Sequence, residues 1–466
     1  MSHSSPAIDE LLQQAVQRHQ AGQFDAAEFL YRQILAQRPE HGDALHLLGL
    51  VCYARGDLAA AANWVRSAIT AVPQSALFHF NLGNILRDTG ELVAALAAYA
   101  MAVQLQPDEA DYHNNLGLAH EEAGALTEAI DCYRRAVELA PDDAVLWVNL
   151  GLALQQSGQR EPAAQCYRQA LQLEPQHAQA LNNLGGLLQA SGEYSAAVQC
   201  YLAALQADPQ LAEAHRNLGG VLEASGDRDG ALHHYTEALR LKPDYTEVAY
   251  VLAALRGEAP PSAAPGDYVA ALFDQYADEF DAHLTGVLGY RTPAVLREMF
   301  ATHVAATSLD VLDLGCGTGL AGLAFRDVAA HLAGVDLSPR MVEKAAQRGI
   351  YDALAVDDVM TALQARPQAW DVLVAADVFV YIGDLAPVLA AAQAALRPGG
   401  WLLFSVEQGE TEGFVLREAG RYAHSAGYVR VLAGCRGFLV RSEQAAVLRQ
   451  NLGVDVPGWL YLLQKA

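Results

Sequence analysis

The chain has 466 residues, 52% of them hydrophobic, enough for two or more domains with cores of their own. Its 54 acidic and 30 basic residues leave a formal charge of −24, which repels phosphate backbones and anionic lipid, so neither nucleic acid nor membrane is an expected partner. The opening MSHSSPAIDE has no basic stretch leading into an apolar one, and no apolar run is long enough to span a bilayer, which predicts a cytoplasmic protein.

Residues 8–245 are periodic. Pro39, Pro73, Pro107, Pro141, Pro175, Pro209 and Pro243 follow at a constant interval of 34 residues. Gly49, Gly83, Gly117, Gly151, Gly185 and Gly219 keep the same step inside the first helix of each unit, where glycine costs about 1 kcal/mol relative to alanine. Repetition of that cost predicts a close helix contact, expected against Ala95, Ala129, Ala163, Ala197 or Ala231 of the partner helix. A second series, Gly22, Gly56, Gly90, Gly124, Gly158, Gly192 and Gly226, falls between the helices, where a left-handed cap suits glycine. Tyr31, Tyr99, Tyr133, Tyr167, Tyr201 and Tyr235 recur as the bulky packing residue. In every marker position the stretch resembles a tetratricopeptide superhelix of seven repeats, which implies a concave groove for a protein or peptide.

Asn81, Asn115, Asn149, Asn183 and Asn217 occupy one equivalent position in successive repeats, although asparagine is a poor helix former. One reading is a ladder of amides that bonds the main chain of an extended peptide, similar to the asparagine ladder of the O-GlcNAc transferase repeat domain. The other is that these amides tie neighbouring repeats together. After Pro243, TEVAYVLAALRG reads as a capping helix that ends the array at residue 256. The proline-bearing EAPPSAAPG then predicts a linker at 257–267.

From residue 268 to 466 short apolar runs alternate with helical stretches, which predicts a mostly parallel sheet covered by helices. LDVLDLG, HLAGVDLS, YDALAVDD, WDVLVAADV and GGWLLFSVE read as successive strands, and GFLVRSEQAAVLR with GWLYLLQKA as an antiparallel pair at the edge. Gly315, Gly317 and Gly319 form the turn after the first strand, where absent side chains let a ligand approach backbone amides. Gly317, Gly319 and Gly322 also fit G-x-G-x-x-G, with Asp336 near the distance of a ribose-binding acid, so an NAD-dependent oxidoreductase is the competing reading. Asp313 inside the strand weighs against it, as does GVDLSPRMVEKA, where Ser338 caps a helix begun by Pro339.

Together these residues resemble a class I S-adenosylmethionine-dependent methyltransferase, a Rossmann-like α/β fold. LFDQYADEFDAHL, LGYRTP, YIGDL and GRYAHSAGYVR are similar to bacterial methyltransferases fused to tetratricopeptide arrays and to the Williams–Beuren-region methyltransferase-like proteins. Asn451 departs from that pattern, standing where an acid is expected. The resemblance implies S-adenosyl-L-methionine as cofactor, with Asp313 near its ammonium and Gly315, Gly317 and Gly319 around its methionine part. Asp336 is implied for the ribose hydroxyls, Met341 and Asp358 for the adenine, and Tyr276 and Tyr290 for a segment that closes over the site. Asp377, counted with the cofactor set, and Tyr381 lie where acceptors often sit. His424, in GRYAHS, and Glu407 are the candidate general bases; the other reading of His424 is a capping or solvent residue, and of Glu407 a cap of the next turn. A scaffold with a silent methyltransferase fold is the remaining alternative. Six cysteines form no C-x-x-C pair, and no metal is expected.

Overall fold

The computed structural model describes residues 6–257, 261–278, 280–282, 284, 286, 289–305, 307–451 and 454–466. Chain contacts divide it into two compact units, Met1–Val221 and Leu222–Ala466.

The first unit consists of antiparallel helix pairs, beginning with Pro6–Gln20 and Phe24–Gln37 and continuing through Ala178–Ala190 and Tyr194–Ala207. The turn glycines Gly22 to Gly192 all have φ between +70° and +80°, the left-handed cap expected of them. The glycines inside the helices answer to a different neighbour from the expected alanines. A Cβ on Gly83 would stand 2.6 Å from the ring of Tyr99, and Gly117, Gly151 and Gly185 face Tyr133, Tyr167 and Tyr201 in the same way. The ring lies flat on the bare backbone, so the glycine and tyrosine series form one packing unit. These rings are fully buried. Their hydroxyls stay satisfied: Tyr133, Tyr167 and Tyr201 donate to Glu121, Gln155 and Gln189 at 2.8–2.9 Å.

The second unit contains the helices Arg228–Leu241 and Thr246–Arg256, so it starts upstream of the proline-bearing linker; Glu258–Pro260 of that linker lie outside the described residues. Its sheet holds β1 (Leu309–Leu314), β2 (Ala329–Asp336), β3 (Ala353–Val356), β4 (Trp370–Ala375) and β5 (Leu396–Gln408), parallel in the order β3-β2-β1-β4-β5. Two strands close the edge antiparallel: β9 (Val454–Lys465) on β5, and β8 (Phe438–Asn451) on β9. Adjacent strand residues such as Val311 and Leu312 are both buried, because helices cover both faces.

A short hairpin, β6 (Phe414–Arg417) and β7 (Arg421–His424), was not legible as strand. Glu407 of β5 pairs with Ala423 of β7 and with Gly458 of β9, which puts those two strands on opposite edges of β5. β9 also lies opposite β4 along Trp401–Phe404, so β7 takes over the β4 edge once β4 has ended. The helix Thr246–Arg256 packs on this hairpin. Its Tyr250, fully buried beside Leu416 and Tyr422, donates its hydroxyl to the Gly420 carbonyl at 2.9 Å.

Candidate active site

A cavity of about 800 Å³ opens at the C-terminal ends of the parallel strands, the place open α/β sheets offer ligands. Gly315 and Gly317 line it with left-handed φ values of +62° and +53°. At Gly315 a Cβ would meet the Val378 side chain at 2.5 Å, so both conformation and space demand glycine. Asp336, the last residue of β2, also lines the cavity. Its Oδ2 accepts the Gly317 N–H at 2.8 Å and its Oδ1 the Ser338 N–H at 2.9 Å, which fixes the carboxylate in orientation. Burial raises its pKa, against the pull of those two N–H groups.

Asp357 and Asp358 follow β3 into the cavity. Asp358 caps the helix Val359–Ala365 by accepting the Met360 N–H at 2.7 Å. Tyr276, Phe280 and Tyr290 enter from the segment before β1, and Asp377 and Tyr381 from the turn after β4. Burial pushes the Tyr290 hydroxyl well above its ordinary value, so it stays protonated.

Three expected contacts fall outside the cavity wall. Met341 is wholly buried by its helix, and Leu337 and Met360 supply the apolar lining in its place. Asp313 lies beneath the turn, 1% exposed, accepting the Tyr351 hydroxyl at 2.6 Å; burial pushes its carboxyl up to about 7. Gly319 turns toward Arg348 and the Tyr351 ring.

Neither candidate base lies on the cavity wall, although Nδ1 of His424 has no hydrogen-bond partner among the described residues. His424 is fully buried, and its Nε2–H serves the carbonyls of Ile382 and Gly383 at 3.0 and 2.9 Å. Burial pushes its pKa down to about 4. Glu407, 3% exposed, is held by Arg449 and, at 3.0 Å, by Arg417. Arg449 also donates to Asp377 at 3.0 Å, and Ser405 donates to Asp377 at 2.8 Å. Asp377 itself adopts φ +58°, a conformation this network maintains. Arg421 lines the cavity beside Tyr381. Arg449 and Ser405 carried no signal in the sequence, since their partners are 28 to 72 residues away.

The repeat asparagines divide in their bonding. Asn81, Asn149 and Asn217 reach back to His46, Asn114 and Asn182 of the preceding repeat at 2.8–2.9 Å. Asn115 donates to the Asp111 carbonyl of its own helix at 2.9 Å, and Asn183 accepts from Gln179 at 3.1 Å. Asn115 also accepts from Arg87 of the preceding repeat at 3.5 Å, so an inter-repeat tie is present in four of the five.

Two family profiles match the chain: one described as the cilia and flagella-associated protein 70 C-terminal domain over residues 41–255, and one described as a methyltransferase domain over residues 312–402. Among curated relatives is the ubiquinone biosynthesis O-methyltransferase of Thiobacillus denitrificans, 31% identical over 115 residues, 24% of this chain and 49% of that protein. Its counterpart in Paraburkholderia xenovorans is 29% identical over 107 residues, 22% and 46% respectively. The chain spans about half the length of these relatives. Among solved structures, Pseudomonas aeruginosa pilF is 26% identical with a TM-score of 0.41, over 46% of this chain and 97% of that one. The chain therefore joins a tetratricopeptide-like helical region to a methyltransferase domain whose mixed sheet ends in antiparallel strands. Among the described residues no helix is long and apolar enough to cross a membrane.

Proposed function

We propose that the chain is a cytoplasmic S-adenosylmethionine-dependent methyltransferase, with an array over 8–256 that recruits a protein or peptide and a linker at 257–267 leading to catalytic residues within 268–466. The observation that carries this reading is the fixed carboxylate of Asp336, set by Gly317 and Ser338 at the rim of a glycine turn inside the matched methyltransferase stretch. The residues fit the cofactor. Each Asp336 oxygen already engaged by one N–H retains a further lone pair for a ribose hydroxyl. Leu337 and Met360 offer apolar flanks to an adenine, with Asp358 at its edge, and Gly315 and Gly317 expose main chain to the amino-acid part.

The bound cofactor supplies an already activated methyl group. The chain has to align an acceptor lone pair with it and keep water away. Tyr276, Phe280, Tyr290, Val378 and Tyr381 all line the cavity, with Phe273 in edge contact with both Phe280 and Tyr381. With His424 and Glu407 both off the cavity wall, and Glu407 held by two arginines, the acceptor is one that ionises on its own or reacts as a neutral lone pair.

Titration calorimetry with S-adenosylmethionine and S-adenosylhomocysteine tests the reading. Asp336→Ala loses two charge-assisted hydrogen bonds worth roughly 1.5–3 kcal/mol each, so its affinity should fall about a hundredfold or more. Equal affinity in both proteins, or binding of NAD with no response to either sulfur ligand, would overturn the assignment.

A further inference from the structure

We propose that Arg421 receives a carboxylate carried by the methyl acceptor; the inference rests on the methyltransferase reading above and names the acceptor's chemical class. Arg421 is the first residue of β7, which occupies the β4 edge of β5 beyond the end of β4. That placement brings it beside Tyr381, in the turn after β4, with its Nε donating to the Tyr381 hydroxyl at 3.4 Å and its side chain on the cavity wall.

Three arginines gather at this end of the sheet. Arg449 is consumed by Asp377 and Glu407, and Arg417 by Glu407 and the Gln408 carbonyl. Among the described residues Arg421 has no carboxylate at ion-pair distance. A guanidinium cannot shed its charge, and a half-buried cation on a largely apolar wall costs solvation unless an anion meets it. The neighbouring acids are already engaged by the other two arginines, which leaves the fork of Arg421 for a ligand.

The rest of the cavity describes what carries the anion. Val269, Phe273 and Val380 make its wall near Tyr381 apolar and aromatic, fit for a hydrophobic body with one acidic end. A planar carboxylate matches the guanidinium in two parallel bonds, whereas a dianionic phosphate would also face the charge of Asp377. The chain's net −24 makes an acid a poor visitor elsewhere on its surface, so a cation inside the pocket supplies the discrimination. The competing source is the carboxylate of the cofactor's own amino-acid part, and the experiment separates the two.

The full chain, saturated with S-adenosylhomocysteine, is titrated with benzoate and 3-phenylpropanoate, each against its neutral amide. Wild type should prefer at least one acid over its amide by about tenfold or more, the worth of a charged hydrogen-bonded pair. Arg421→Met should erase that preference, Arg421→Lys should keep part of it, and affinity for S-adenosylhomocysteine should be unchanged in both, which also certifies folding. No preference for either acid in wild type, or a preference that survives in Arg421→Met, overturns the inference while leaving the cofactor reading intact. A tenfold loss of S-adenosylhomocysteine affinity in Arg421→Met overturns it in favour of the cofactor's carboxylate. Failure of wild type to bind S-adenosylhomocysteine at all removes the methyltransferase reading and the inference with it.

Discussion

Arg449 on β8 donates from Nη1 to Oδ2 of Asp377, a residue 72 positions upstream, at 3.0 Å, and its other arm holds Glu407. Both Arg449 and Glu407 are almost fully buried, at 5% and 3% exposure. Removing the cation strands two carboxylates in low dielectric, of which Glu407 alone keeps a second arginine. Arg449→Met should therefore cost about 3–5 kcal/mol in urea unfolding. Combining it with Glu407→Gln should recover part of that loss, and a double variant as weak as the summed singles would argue that the network is not coupled.

Two buried titratable groups in this unit act on stability with opposite sign. The His424 ring has its pKa pushed from 6.5 down to about 4, so below 6.5 the unfolded chain takes up a proton that the native one refuses until about pH 4. Its contribution is present above pH 6.5 and is lost as pH falls toward 4. The Asp313 carboxyl is pushed from 3.8 up to about 7, so between those values the native state keeps a proton that the unfolded state releases, and stability falls as pH rises. Thermal melts at pH 4.5 and 7 should show the advantage of wild type over His424→Gln shrinking on the acid side. For Asp313→Asn it should shrink on the neutral side. Each swing is of order 2 kcal/mol, and parallel pH profiles would exclude these environments.

The asparagine ladder makes a sharper distinction than its sequence allowed. Asn149 and Asn217 bond asparagines of the preceding repeat at 2.9 Å, while Asn115 bonds its own helix and meets the preceding repeat only through Arg87, at 3.5 Å. Loss of an inter-repeat bond costs about 1 kcal/mol, against a helix-propensity gain of about 0.6 from alanine, so Asn149→Ala combined with Asn217→Ala should melt slightly lower. Asn115→Ala should melt unchanged or higher. If Asn115→Ala alone loses capture of a protein partner, the peptide-groove reading of that rung gains; if all three variants keep it, the asparagines serve the array.

Local period made the strands, the glycine turn and the helix pairs legible. Partner identity was not. The spacing of Gly83 required a close neighbour, but a residue twelve positions on (Ala95) and one sixteen on (Tyr99) both sit on the second helix, and only the docked pair shows that the ring takes the place. Met341 was expected over an adenine from its place in the helix after β2. The Ser338 cap forms at the Met341 N–H as expected, but the methionine side chain is wholly buried in the core. Arg421 stood inside a quoted motif without a role, because its neighbour Tyr381 is 40 positions away and its strand is four residues long.

Tyr250 decides where the catalytic part can be cut. Its ring is fully buried against Leu416 and Tyr422, and its hydroxyl bonds the carbonyl of Gly420, the residue before Arg421. A chain starting at Gly257 loses that helix, exposes Tyr422 and leaves the β6–β7 turn without its anchor. It should melt about 5–10 °C below a chain starting at Leu222, the loss expected for some 3 kcal/mol in a domain of this size. The Leu222 chain should bind S-adenosylhomocysteine as the full chain does, because the cavity lining lies between Ser262 and Gln450. Its labelled-methyl transfer to cell extract should fall at low extract concentration and recover in excess, since a recruiting array raises the local acceptor concentration to the millimolar range over a short link. Transfer equal to the full chain at every dilution would mean a freely diffusing acceptor, leaving the first unit a task unrelated to delivery.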